Sequence, residues 1–396
     1  MPLYVTPQQL KQAEDLVRRL KGPDGLARVD TEKFWADHET AMKDPWAASC
    51  PQVPLGMARM SVECFWTELN EPEDWYRLTH DVEFRNALAK RYNDLSEKIV
   101  GRRLLAENVA SVRATAMPIK ALHDIFEAEN VWEGQSYWLK RSAHGADELA
   151  ALLDRVEKRL ENLREFLLPP DWAKVKADFL AGGGKIAPYR GQRGPVTFAM
   201  SIFGAEDLIF LIMDNRDLAE RFSRVILKAI IGRAEIIDEE AGLTRQTAPR
   251  GWGWADDNCA LLNKEMYDFF AKPILKGVFD RFCPDAADSR YQHSDSAMAQ
   301  HLPTLGELGL TGCNFGPTLS VAEIRRHLPN AVIHGQLAPF TFSRNEEVNM
   351  VAEFIRDREM AREKRGLVFA TAGSINDGSR LSGLRLLMAA AQTLGY

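Results

Sequence analysis

From Asp288 to Tyr396 the chain repeats one pattern, a short apolar run that ends in a polar residue followed by an amphipathic segment with helical spacing. Parallel strands need long crossovers, normally helices, so this alternation predicts an α/β fold with a parallel sheet. The candidate strands are Ser289–His293, Gly312–Phe315, Ala331–His334 and Leu367–Thr371. In a closed eight-stranded barrel the loops after the strands converge on one mouth, where catalytic groups collect. His293, Asp295, Asn314, His334, Gln336 and Ser374 are then expected around one pocket.

The 396 residues suit one α/β barrel with an N-terminal extension. With 45% hydrophobic and 27% charged residues, the composition is that of a globular protein with ample core. A net charge of −6 without basic blocks gives no footprint for nucleic acid or an anionic membrane, so neither partner is expected. No basic segment leads into an apolar signal core, and no run approaches the ~20 apolar residues of a membrane span. The five cysteines, Cys50, Cys64, Cys259, Cys283 and Cys313, are odd in number and scattered. That argues against a disulfide framework and for a cytoplasmic location. None forms a Cys-x-x-Cys pair, so spacing alone gives no thiolate zinc centre.

Helical spacing over Thr6–Leu20 and Asp30–Lys43, interrupted at Gly22-Pro-Asp-Gly25, marks residues 1–50 as a helical extension and leaves 51–396 for the barrel. Leu55–Ser61 is the candidate first strand. A helix starts at Glu71-Pro-Glu-Asp74 and continues through Ile99, and another spans Gly145 to Leu167 before Pro169-Pro170. Gly191-Gln-Arg-Gly-Pro195 reads as a turn into Val196–Ala199. His293 and Asp295 sit two apart and face the same way on a strand, where a carboxylate can orient an imidazole or share a metal with it. Trp252 and Trp254 can wall a pocket ahead of Asp256 and Asp257, and those acids can equally cap a helix. His80, His123 and His144 carry no case of their own.

Several stretches then come in a telling order. Gly194-Pro-Val-Thr197 with Gly204-Ala-Glu206 is followed by Ala255-Asp-Asp-Asn258, Leu261–Phe270 and Pro273. Tyr291-Gln-His-Ser-Asp295, Leu305–Gly309, Asn314-Phe-Gly-Pro317, His334-Gly-Gln-Leu337 and Thr371-Ala-Gly-Ser374 complete the series. The set resembles the uroporphyrinogen decarboxylase superfamily, which includes corrinoid-linked methyltransferases. The resemblance implies a TIM (β/α)8 barrel with its site at the C-terminal mouth. True uroporphyrinogen decarboxylases carry an Arg-Gln-Ala-Gly-Arg signature for an acidic tetrapyrrole. The matching region here, Pro54–Arg59, offers one arginine and a mostly apolar surface.

The methyltransferase branch has a zinc site of His-x-Cys and a later Cys, whose matching positions here are His293, Asp295 and Ser374. The resemblance therefore implies methyl transfer between a small methylated substrate and a corrinoid (cobalamin) carried by a partner protein, with zinc as a candidate metal on His293 and Asp295. No Asp-x-His-x-x-Gly cobalamin motif occurs in the sequence. His293, Asp295 and Asp257 are the expected catalytic residues, with Tyr291, Gln336, Trp252, Trp254 and Ser374 around the substrate. The alternatives are a metal-free decarboxylase or lyase, in which Asp257 or His293 protonates a carbanion-like intermediate, and a tetrapyrrole- or corrinoid-binding protein.

Overall fold

Helix boundaries follow local capping chemistry. Thr6 and Gln9 form a reciprocal capping box at the start of the helix Pro7–Leu20, and Asp30 accepts from the Lys33 amide to begin Thr31–Lys43. The predicted helix through Ile99 is two, Trp75–His80 and Val82–Val100, because Asp81 leaves helical geometry to cap the second. The segment Gly145–Leu167 likewise divides at Asn162.

The computed structural model describes residues 2–109 and 117–396. An antiparallel hairpin joins β1 (Asn130–Glu133) to β2 (Ser136–Leu139). The remaining strands are β3 (Gly191–Arg193), β4 (Trp252–Ala255), β5 (Arg290–Ser294), β6 (Gly312–Phe315), β7 (Val332–His334) and β8 (Leu367–Val368). Strands β3 to β8 are hydrogen-bonded in chain order, and the pairs β3–β4, β6–β7 and β7–β8 are parallel. The protein is thus mixed α/β with a parallel sheet. Of the eight strands expected, six are present in it among the described residues. The expected first strand reduces to a single parallel bridge from Leu55 to Phe369, and Gly56–Arg59 turns into a 3-10 helix. Pro51 and Pro54, which lack amide donors, precede that bridge and limit its pairing.

The chain divides into two compact units. The first contains residues 2–109, His293–Leu302 and Leu310–Tyr396. Here β6, β7 and β8 carry the buried side chains Cys313, Phe315, Ile333, Leu367 and Val368. The helix Glu347–Ala361 brings charge into this core. Arg356 donates to Asp357 Oδ1 (2.7 Å) and Oδ2 (2.9 Å), to the Gln336 carbonyl (2.7 Å) and to the Leu3 carbonyl (2.7 Å). Asp357 in turn accepts from the Gln336 amide (3.1 Å), while Glu353 accepts from the Ala338 amide (2.8 Å) and the Thr341 hydroxyl (2.7 Å). The loop after β7 is therefore held by buried ions as well as by the packing of Leu337.

The second unit contains residues 117–292 and Pro303–Gly309. The stretch expected to be a turn, Gly191–Arg193, is strand β3, and Val196–Ala199 lies in the helix Pro195–Phe203. A continuous apolar run carries no period that separates strand from helix, and Pro195 at the first helical position decides it. The long helix Arg216–Glu240 buries Phe222, Val225, Ile226, Ile230 and Ile237.

Removing Arg356 strands two buried carboxylates and frees the loop after β7. Arg356→Ala is expected to destabilise the protein by about 3–5 kcal/mol. Urea unfolding at pH 7 measures this, and an unchanged midpoint would show that the ion network does not hold the fold.

Candidate functional site

Along β5 the side chains alternate, with Gln292 and Ser294 buried and Tyr291 and His293 half-buried. His293 thus lies on the face opposite the packed one. Its ring is fixed by Asn314 on β6, whose Oδ1 lies 2.8 Å from Nδ1. The Asn314 amide nitrogen donates to the His334 carbonyl at the end of β7 and to the Thr371 carbonyl (2.9 Å) beyond β8. With both amide hydrogens given to carbonyls, the oxygen must face the histidine, so His293 Nδ1 carries a hydrogen.

That assignment determines the other ring nitrogen. His293 Nε2 lies 3.0 Å from Asp295 Oδ1. In a neutral ring Nε2 would present a lone pair to a carboxylate lone pair. The arrangement is satisfied by a second proton on the ring or by a cation that both atoms bind. Either way it makes a small electrophilic centre.

Two glycines let neighbouring loops close around Asp295. A Cβ added at Gly316, after β6, would meet the Asp295 carbonyl oxygen at 2.4 Å. One added at Gly373 would meet Asp295 Oδ1 at 2.5 Å, and Gly373 has a φ of +121°, which side-chain-bearing residues avoid. Ser374 follows on this loop and is exposed. His334 is half-buried at the end of β7, and burial lowers its pKa. Gln336 is placed differently from the expectation of a substrate contact. It is buried, and its amide nitrogen donates to the Gly316 (3.1 Å) and Leu319 (2.8 Å) carbonyls, fastening the loop after β6.

The second unit carries the other predicted residues. Trp252 and Trp254 do not present an open wall, because both are buried. The Trp252 ring stacks on Phe282 at 5.0 Å and meets Tyr189 edge-on at 5.4 Å, while Trp254 meets Phe279 at 6.4 Å. Phe279 and Phe282 belong to the helix Lys272–Phe282, so the tryptophans fill the strand-to-helix layer. Alternation along β4 sends residues two apart to the same face, and here that face is the packed one. Tyr291 is half-buried on β5.

Asp257 opens the 3-10 segment Asp257–Leu261 directly after β4 and is half-buried. Its neighbour Asp256 is buried and accepts from the Thr197 amide (2.8 Å) at the start of the helix Pro195–Phe203. Burial pushes the Asp256 carboxyl up from an ordinary 3.8 to about 6, against the opposing pull of the Thr197 amide. The capping role considered for these two acids thus falls to Asp256. Sequence reading placed Asn314 at the site without finding its task, and missed Gly316 and Gly373. Their signal was present in Asn314-Phe-Gly-Pro317 and Thr371-Ala-Gly-Ser374, where glycine follows a strand end closely.

The family model for uroporphyrinogen decarboxylase (URO-D) matches residues 190–394, just over half of the 396. The chain belongs to the uroporphyrinogen decarboxylase family. Among solved structures, this URO-D family member is similar to a methyltransferase from Methanosarcina mazei, with a TM-score of 0.51 and 16% sequence identity over 87% of this chain and 94% of that one. At that identity the likeness concerns the fold. No curated protein matches the sequence. Among the described residues of this URO-D protein, no single helix is long and apolar enough to cross a membrane. One helix pair, Pro195–Phe203 with Ala205–Asp214, reaches that length only jointly and is bent by 104°.

Asn314→Ala is expected to cost about 2–4 kcal/mol, since it leaves two carbonyls without their donor. Nitrogen-15 spectra of the histidines should show Nδ1 of His293 protonated in the wild type and a mixture of tautomers in the variant. The same tautomer in both would remove Asn314 as its cause. An acid whose folded pKa is raised stabilises the fold when protonated. For Asp256 that contribution is complete below 3.8 and is lost as pH climbs through about 6. Unfolding free energies of Asp256→Asn are therefore expected to lack the downward slope that the wild type shows across this interval.

Proposed function

We propose that this protein is a methyltransferase that moves a methyl group between a small methylated substrate and a corrinoid on a separate partner protein. The observation that carries the reading is the His293–Asp295 pair, with one ring nitrogen committed to Asn314 and the other directed at a carboxylate oxygen. Methyl transfer from oxygen or nitrogen needs an electrophile at the departing heteroatom. A solved structure that shares the fold is a methyltransferase, and we extend that activity to this chain. The frame proposed is a closed (β/α)8 barrel over 51–396 with residues 1–50 as its helical extension.

The donor set also bears on zinc. Neighbouring ligands of a tetrahedral zinc, at bonds of about 2.0–2.1 Å, stand roughly 3.3 Å apart. His293 Nε2 and Asp295 Oδ1, at 3.0 Å, suit that spacing. Asn314 supplies the acceptor that metal-bound histidines usually have on their second nitrogen. His293 and Asp295 would hold the ion, which when bound supplies Lewis acidity toward the leaving heteroatom. Without it, His293 holds a proton at Nε2, Asp295 balances the imidazolium charge, and the same proton is available to the leaving group. Asp257, directly after β4, and Tyr291, on the open face of β5, are proposed to position substrate. Ser374 is proposed to border the site through its place beside Gly373.

A second reading follows from the same 3.0 Å contact. A hydrogen-bonded imidazolium is a competent proton donor to a carbanion, as a metal-free decarboxylase or lyase requires. Plasma mass spectrometry of purified protein separates the two. About one zinc per chain is expected, lost in both His293→Ala and Asp295→Ala. A metal-free wild type that also takes up no added zinc would favour the proton donor. His293→Ala is expected to lose turnover with an unchanged far-ultraviolet circular dichroism spectrum, and undiminished turnover would remove the centre from the mechanism.

A further inference from the structure

The second unit holds a cavity of about 270 Å3 lined by His123, Asn130, Tyr189, Gln192, Arg193 and Arg233 among others, none of them assigned above. Arg233, on the helix Arg216–Glu240, is buried. Its Nε donates to the Lys120 carbonyl (2.9 Å), and its guanidinium lies over the Tyr189 ring at 4.6 Å. Among the described residues its two terminal nitrogens have no acceptor, and it forms no ion pair. Arg193, at the end of β3, is half-buried and donates only to the Ser201 hydroxyl (3.3 Å), again without a carboxylate partner among the described residues.

Other buried or half-buried arginines of this protein are compensated. Arg356 has Asp357, Arg190 has Asp238 at 2.6 Å, and Arg325 donates to backbone carbonyls including Ala331 (2.6 Å) and Arg365 (2.9 Å). An uncompensated buried charge costs several kcal/mol, so proteins rarely keep one without a partner. Both cationic side chains line the cavity with His123, whose pKa is lowered by burial first and then by the charges of Arg233 and Arg193, against the larger opposing charge of Asp124. The nearby acid, Asp124, is engaged. Its Oδ2 accepts from the Ala121 amide at 2.6 Å, and Oδ1 lies 3.8 Å from His123 Nε2.

We propose that this cavity is a binding site for a small oxyanion, a carboxylate or phosphate group, gripped by Arg193 and Arg233. Guanidinium groups match such anions through paired donors, and His123 and Gln192 add polar contacts. The volume lies below the roughly 300–1,000 Å3 typical of drug-sized ligands, so the occupant is an anion of few heavy atoms or the acidic head of a longer molecule. The proposal is independent of the methyl-transfer reading.

Calorimetric titration of the full chain with inorganic phosphate, and separately with malonate, tests it in chloride buffers of matched ionic strength. Saturable binding of at least one probe is expected, weakened about tenfold or more in Arg193→Gln and in Arg233→Gln. The stronger probe identifies the head group as phosphate or carboxylate. His123 should titrate at higher pH when the probe is bound, read by proton NMR, because a bound anion offsets the two positive charges. Arg193 is only half-buried, so Arg193→Gln keeps the test open should Arg233→Gln fail to fold. Absence of binding beyond chloride, or wild-type affinity in Arg193→Gln, overturns the proposal.

Discussion

One side-chain amide organises the first unit. Asn314 stands on β6 and reaches the ends of its neighbours, donating to the carbonyl of His334 on β7 and of Thr371 beyond β8 while accepting from His293 on β5. Because an amide group has two donors on one side and an acceptor on the other, a single residue both ties strand ends together and dictates which histidine nitrogen carries a hydrogen. Asp295 then faces a ring whose remaining nitrogen has a defined role. A carboxylate at position 314 could make none of the donations, and an apolar residue would take the same donor from both carbonyls.

The loops around this centre are positioned by buried polar groups used as fasteners. Gln336 clasps the loop after β6 through the Gly316 and Leu319 carbonyls, and Arg356 with Asp357 clasps Gln336. Gly316 and Gly373 let backbone close on Asp295 where any side chain would collide. In the second unit Asp256 does comparable work by accepting from the Thr197 amide. Such groups are costly to bury, and each is repaid by bonds to backbone that would otherwise lack partners. The exception is the Arg193 and Arg233 pair, which forms no ion pair among the described residues.

Much of the architecture could be read from the residues. The strand at Gly312–Phe315 is found as expected, and β5 and β7 differ from expectation by single residues at their ends. Thr6 and Asp30 announced their helices. Strand β3 went unread because glycine and arginine obscured a three-residue strand, and the apolar run after it had no period. The tryptophans of β4 were legible as an aromatic pair. Which face was packed against the helix Lys272–Phe282 was not, since alternation gives two faces without saying which one meets the next layer.

By itself the sequence determined the α/β class, the parallel strands and the presence of His293 and Asp295 at a strand end, because periodicity and crossover length are local properties of the chain. Only the tertiary structure decided what those residues do. The hydrogen on His293 Nδ1 depends on an asparagine 21 positions away, whose own orientation depends on carbonyls at the end of β7 and beyond β8. The reassignment of Gln336 from substrate contact to loop fastener, and of Trp252 and Trp254 from wall to core, likewise rests on partners distant in sequence. Hydrogen bonding and burial are set by what folding brings together, and no local pattern encodes that.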